Sequence, residues 1–256
     1  MTAAREADLM RAADMLLNAR RTKTPIEDLP EALRPVDMDE AYYVQDRMAE
    51  AYGAIGGWKV GAGSPEATPL YAPMMAAWVG ADNSAWVDSR HRFRGLEAEI
   101  AFLVGQDLPP RATPYTRAEV VAAMESCHPA IEVLETAFLD PKKIAKTTMI
   151  ADLQIHGGFV AGPAIANWES IDWAQEKVTL SVDGVVRVER TGSNTSGDLV
   201  GLLPFMANQA AARTGGLKRG DWITTGSWTG ATPSESGASV EVVFAPHGGK
   251  VSLRFA

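Results

Sequence analysis

Cysteine is almost absent from this chain: Cys127 is the only one among 256 residues. A single thiol permits no internal disulfide and excludes a zinc site built from several thiolates, so a reducing, cytoplasmic setting is the simplest expectation. Also missing is any long block of Lys or Arg with interleaved aromatics, and the formal net charge is −8. That balance argues against a nucleic-acid footprint or attraction to an anionic membrane, which leaves small molecules as the expected partners. No apolar run approaches the length of a membrane span, and Arg5, Glu6 and Asp8 stand where a secretory signal needs an uninterrupted apolar stretch. Internal repeats and low-complexity segments are lacking too. What is present is a 46% hydrophobic chain long enough to bury a substantial core, as one large domain or two small ones.

Leu9, Ala12, Ala13, Leu16 and Leu17 recur at helical spacing over residues 3–20, closed by Arg20 and Arg21 in the sense the helix dipole favours. A second helix is expected from Asp37, where Glu40 completes a start like a capping box. Residues 57–80, rich in Gly, Pro, Ser and Thr, read as a long irregular loop with Lys59 at its entrance. Strand patterns follow at 96–104 and 130–134. Between them Thr116 and Glu119 open a helix running through 124. Asp183-Gly184 between 178–182 and 185–188 is a two-residue hairpin signal. A helix over 198–213 and strands at 222–225, 240–244 and 251–255 complete an α+β chain. The expected division is an N-terminal helical and loop region, 1–90, packed on a catalytic core, 91–256, within one structural unit.

The chemistry concentrates in carboxylates. Alternate residues of an extended chain share a face, so Glu97 and Glu99 point one way while Leu96, Ala98, Ile100 and Phe102 point the other. Two such carboxylates repel unless something positive lies between them. Glu132, in the second apolar run, would complete an all-oxygen pocket for a hard dication if the two strands are neighbours; the pair alone favours a solvated strand face. Lys59, among small residues, suits a substrate carboxylate or a developing enolate, or is an ordinary surface lysine. The run from Thr224 to Gly230 is a hydroxyl-rich turn suited either to a carboxylate or to closing a hairpin. Gly61 and Gly63 do not make a dinucleotide loop, because no third glycine follows and Pro65 blocks the helix that should start there. Cys127 and His128 are adjacent and diverge, so Cys127 reads as packing, and His91 and His247 read as solvated. His156 is either an acid/base group or a core hydrogen-bonder.

Taken together and in order, Gly57-Trp58-Lys59-Val60-Gly61, Glu97-Ala98-Glu99-Ile100-Ala101-Phe102, Pro129-Ala130-Ile131-Glu132-Val133, Ala151-Asp152, Gly157-Gly158-Phe159-Val160 and Thr225-Gly226-Ser227 resemble the fumarylacetoacetate hydrolase superfamily. The likeness is greatest to its 2-keto-4-pentenoate hydratase and 4-oxalocrotonate decarboxylase branch, from about residue 37 onward. The resemblance implies a mixed β-roll core with N-terminal helices, a Mg²⁺ or Mn²⁺ ion, and a homo-oligomer built from dimers. It implies metal ligands at Glu97, Glu99 and Glu132, with Lys59 assisting the bound oxo acid. Asp152, Thr225, Gly226 and Ser227 fall at substrate-binding positions, and Glu66 falls where hydratases carry an acidic residue. After Asp152 the hydratases run Asn-Ala-Ser-Ser. This chain has Leu153-Gln154-Ile155-His156 instead, so a serine linked to hydration has no counterpart.

A 2-oxo acid chelates a dication through its carboxylate and keto oxygens, which makes the enolate accessible. The expected activity is hydration of a 2-hydroxy-2,4-dienoate to a 4-hydroxy-2-oxo acid in aromatic catabolism, with Lys59, Glu66 and His156 as catalytic candidates. The alternatives are a 4-oxalocrotonate-type decarboxylase, whose second carboxylate Arg90, Arg92 or Arg94 would meet, an acylpyruvate-type C–C hydrolase, and a small-acid binding protein that kept the fold.

Overall fold

The computed structural model describes residues 1–86 and 90–256. Helix α1 (Ala3–Thr22) begins at Thr2, whose hydroxyl accepts from Arg5 N at 3.2 Å, and turns Leu9, Ala12, Leu16 and Ala19 inward. Helix α2 (Met38–Tyr52) is capped by the Asp37 carboxylate, which accepts from Glu40 N at 2.9 Å. The inward faces of α1 and α2 share one apolar cluster with Met75, Phe138, Ala151 and Leu153. Arg5 clamps the outer rim, meeting both Glu40 oxygens at 2.9 and 2.6 Å.

Thirteen strands follow among the described residues, with three short or medium helices between them. They are β1 (Ile55–Gly61), β2 (Leu70–Met75), β3 (Val79–Ala81), β4 (Ser84–Trp86) and β5 (Gly95–Val104), then α3 (Arg117–Ala122) and β6 (Met124–Leu134). Next come α4 (Lys146–Ala151), β7 (His156–Ala161), β8 (Lys177–Val182), β9 (Val185–Thr191) and α5 (Leu202–Arg213). The chain ends with β10 (Trp222–Thr224), β11 (Thr232–Pro233), β12 (Ser239–Ala245) and β13 (Gly249–Phe255). The larger sheet runs β2-β1-β10-β5-β6-β7-β3, with β11 on β5, and the smaller runs β4-β13-β12-β8-β9. Parallel pairs β1/β10, β3/β7 and β13/β4 interrupt otherwise antiparallel ladders, which makes the mixed α+β architecture expected.

Strand parity builds the core and, by the same rule, the site. Leu96, Ala98, Ile100 and Phe102 of β5, Ile131 and Val133 of β6, and Trp58 and Val60 of β1 face a common cluster with Val178, Leu180, Val242 and Leu253 of the smaller sheet. The intervening residues, Lys59, Glu97, Glu99 and Glu132, therefore emerge on the opposite face of the larger sheet. At about 25 cal/mol per Å² of buried apolar surface, this sandwich supplies the free energy that holds the charged face in place.

Four expectations need correction. The stretch 57–80 is irregular only over 62–69, because β2 and β3 occupy much of the rest. Pro73 is tolerated in β2 because that strand is at the edge of the sheet. Strands from both sides of residue 90 enter both sheets, so the N-terminal part supplies sheet as well as helical cover. The capping box at Thr116 and Glu119 is formed, but α3 ends at Ala122 and β6 starts at Met124, six residues before the expected strand. His91 is buried, its Nε2 3.2 Å from Gly157 O and its ring between Trp86 and Phe255. The β8/β9 hairpin follows its signal, with Asp183 and Gly184 both at positive φ, 51° and 74°. Cys127 lies in the core cluster, and burial pushes its thiol pKa well up.

Candidate metal centre

Register brings the carboxylates together. β5 and β6 pair antiparallel with Glu97 directly opposite Glu132 and Glu99 opposite Ala130. Ligand oxygens of the three glutamates lie within 4.8 Å of one another, Glu99 and Glu132 buried and Glu97 partly open. Like charges facing each other across a ladder destabilise it, so this arrangement calls for positive charge.

The protein supplies one cation. Lys59 Nζ sits 2.6 Å from Glu132 Oε1 and also donates to Gln154 O at 3.1 Å. Burial works against the ammonium, yet Glu132, Glu97 and Glu99 outweigh that and raise its pKa, so it stays charged. Glu132 takes a second hydrogen bond at Oε1 from His156 Nδ1, at 2.9 Å. Burial pushes Glu132 up, but Lys59 and His156 together hold it below the usual carboxylate range. Burial keeps His156 itself below its ordinary pKa, so it donates as a neutral imidazole. One lysine does not serve three acids: burial and then the Glu132 charge raise Glu97 to about 7 and Glu99 well above the usual value.

A hard divalent cation fits what remains. Glu132 Oε2 is buried without a hydrogen-bond partner. Two further carboxylates are held in an environment that penalises their charge, and oxygen ligands of this kind suit Mg²⁺ or Mn²⁺. Glu99 is aimed by its surroundings, since the Thr224 hydroxyl and the Gly226 amide, the latter at 3.1 Å, both donate to its Oε2. Gly226 adopts φ 86°, which favours glycine.

Glu97 and Glu99 open onto a cavity of about 220 Å³ lined also by Lys59, Gln154, Thr195, Gly226, Ser227 and residues 60–63, with Leu70. Thr225 faces away, its hydroxyl donating to Ile100 O at 2.7 Å. Asp152 does not reach the cavity. Its Oδ1 pairs with Arg20 Nε at 2.6 Å, and its Oδ2 accepts from Thr136 Oγ1 and Ala137 N at 2.7 and 2.9 Å. His156 lies behind Glu132, fully buried, its ring 5.9 Å from that of Trp78. Glu66 is exposed on a turn closed by Ala67 N and Ser64 O, outside the cavity lining. Arg90, Arg92 and Arg94 are also outside it. Arg92 instead donates to Phe138 O at 2.7 Å.

The departure after Asp152 has a backbone consequence. Leu153, Gln154 and Ile155 all adopt left-handed φ, 53°, 50° and 56°. Without glycine each costs about 1–2 kcal/mol. Arg20 compensates from behind, donating to His156 O, Asp152 O and Glu135 O at 2.7, 2.8 and 2.8 Å. The turn thereby presents the Gln154 carbonyl to Lys59. Gln154 and Thr195 were not among the sequence candidates, and Thr224 entered only as the start of the hydroxyl-rich turn. Alternation from Trp222 along β10 carries a signal for Thr224, whereas nothing local announces a left-handed Gln154.

Residues 48–255 match the family model described as fumarylacetoacetate (FAA) hydrolase C-terminal. The 2-hydroxyhexa-2,4-dienoate hydratase of Comamonas testosteroni is 30% identical over 148 residues, 57% of this chain; the match spans about half, 54%, of that relative's length. The TodF product hydratase of Pseudomonas putida strain F1 is 25% identical over 99% of this chain and 97% of its own. Among solved structures, the 4-oxalocrotonate decarboxylase of Pseudomonas putida G7, complexed with magnesium and adipate, superposes with a TM-score of 0.83 at 24% identity, covering 100% of this chain and 99% of that one.

Proposed function

Since the chain belongs to the fumarylacetoacetate hydrolase family, we propose that it is a divalent-metal-dependent hydratase. Its substrate is a 2-hydroxy-2,4-dienoate and its product a 4-hydroxy-2-oxo acid, formed in aromatic catabolism. The observation that carries this reading is the convergence of Glu97, Glu99 and Glu132 on one buried point, with an orphaned Glu132 oxygen and a single lysine alongside. Glu97, Glu99 and Glu132 would hold Mg²⁺ or Mn²⁺. Such an ion acts as a Lewis acid on a 2-oxo acid.

Lys59 binds the substrate's acidic end and offsets negative charge developing at its 2-oxygen. His156 touches Glu132 and not the cavity, which makes it a positioning residue that fixes one ligand. Gly226 and Ser227 line the cavity where substrate binds, while Thr225 and Asp152 hold the walls. Glu66, exposed and outside the cavity lining, is given no part in this proposal. In the same reading the chain works as a homo-oligomer built on dimers.

Charge favours hydration over decarboxylation of a 2-oxo-enedioate. Three glutamates, one dication and Lys59 sum to zero, and Lys59 is the only cationic side chain lining the cavity among the described residues. A substrate with one carboxylate is accommodated there more readily than one with two. The test is to mix protein and Mg²⁺ with 2-hydroxypenta-2,4-dienoate and, separately, with a 2-oxo-enedioate, following dienol absorbance and CO₂. Loss of the dienol signal with formation of the 4-hydroxy-2-oxo acid is expected. CO₂ release from the enedioate, with no hydration of any dienoate, would overturn the reading in favour of a carboxy-lyase.

A further inference from the structure

A second cavity, of about 410 Å³, opens where the C-terminal ends of α1 and α2 approach the larger sheet. Its size is ordinary for a small-ligand site. None of its lining residues lines the carboxylate cavity. The two are related through Trp78, which lines the second cavity and lies 5.9 Å from the ring of His156, and through Arg20, which lines it and holds the turn carrying Gln154.

The charge of this cavity opposes that of the chain. Arg20, Arg21, Lys23 and Arg90 line it against a single carboxylate, Glu135, in a protein of formal charge −8. Arg20 is neutralised by Asp152 at 2.6 Å. Glu135 is spent on backbone, its Oε2 accepting from Phe93 N at 3.0 Å and from Arg92 N, its Oε1 from Thr136 N at 2.8 Å. Arg21, Lys23 and Arg90 are exposed, and no carboxylate forms an ion pair with them among the described residues. The dipole of α1 accounts for basic residues at its own C-terminus. It does not account for Arg90, which arrives at the same mouth from a distant segment.

The walls are apolar and aromatic. Tyr52 and Trp78 meet edge to face, centroids 4.6 Å apart, and Leu17 and Ala51 complete that side. A ligand matching both features has a flat apolar body and one acidic group.

We propose that this cavity is a second ligand site, for a small aromatic monocarboxylate whose ring lies against Trp78 and Tyr52 and whose carboxylate meets Arg21, Lys23 and Arg90. The site is independent of the carboxylate cavity and of the reaction assigned to it. Aromatic ligands of this class report on themselves through the tryptophan beside them, and guanidinium and ammonium groups supply the anion recognition.

The test is a titration of the full chain with benzoate, read by calorimetry and by tryptophan fluorescence, with and without Mg²⁺ and oxalate. One benzoate per chain is expected, with a fluorescence change that Trp78→Phe removes and an affinity that oxalate leaves unaltered. Arg21→Glu combined with Lys23→Glu, both at exposed positions, should weaken binding at least tenfold, while Glu97→Gln with Glu99→Gln should leave it unaltered. Competition by oxalate, or unchanged affinity in the charge-reversed variant, overturns the proposal. So does the absence of benzoate binding at millimolar concentration. Equal binding of inorganic phosphate would leave only a generic anion patch and overturn the aromatic assignment.

Discussion

The carboxylate cavity and the basic cavity invert each other. In the first, charge is buried before it is compensated: Glu99 and Glu132 are inaccessible, and two of the three acids carry raised pKa values. In the second, Arg21, Lys23 and Arg90, which form no ion pair with a carboxylate among the described residues, remain exposed, so water compensates them when nothing else does. Buried charge makes a ligand a condition of the site's comfort, whereas exposed charge only offers one a place. Changes to the first cavity should therefore register in stability, pH dependence and metal content together. Changes to the exposed cations of the second should register in affinity alone.

The largest expected effect breaks the wall the cavities have in common. Arg20→Ala leaves Asp152 buried with its partner gone, which costs about 3–5 kcal/mol for a pair of this kind. Urea unfolding should show that loss. A variant as stable as the parent would mean that Arg20 does not hold the turn.

Next comes the metal. Glu97→Gln with Glu99→Gln should lower Mg²⁺ or Mn²⁺ affinity by at least about 100-fold, the upper end of what loss of mere ligand-orienting groups produces. Calorimetric titration measures it. Equal metal binding in parent and variant would remove the site.

The smallest effect sharpens the contrast through pH. Glu97 and Glu99 have folded-state pKa values above the ordinary carboxylate range, Glu97 at about 7, chiefly because of burial. A raised folded value gives a stability contribution that is full below the unfolded pKa and lost as pH rises through the folded one. Metal-free protein should therefore melt at lower temperature at pH 8 than at pH 5.5, and added Mg²⁺ should restore more at pH 8. Scanning calorimetry with a chelator and with Mg²⁺ tests it; identical gains at both pH values would contradict the assignment.

Much of this was legible because strands have a period of two. That period put Glu97 and Glu99 on one face and four apolar residues on the other, and the structure keeps this division. Thr116 with Glu119, Asp37 with Glu40, and Asp183-Gly184 also carried local rules whose physics does not depend on distant contacts. Illegible features depend on long-range pairing. β2 and β3 lack a clear alternation and exist because β1 and β7 offer them edges. His91 looks polar and loop-like until Trp86 and Phe255 close over it. Asp152 looked like a ligand-binding acid until Arg20, 132 residues earlier, took its carboxylate.

That last separation bears on the order in which the molecule can be made. Arg20 leaves the ribosome long before Asp152, Glu135 or the His156 carbonyl exist to receive it, and its hydrogen bonds fasten the left-handed turn to the first helix. The first helix must wait for the middle of the chain, and the Gln154 carbonyl can settle on Lys59 only after that late docking. The carboxylate cavity is thus completed only once a contact spanning 132 residues has formed.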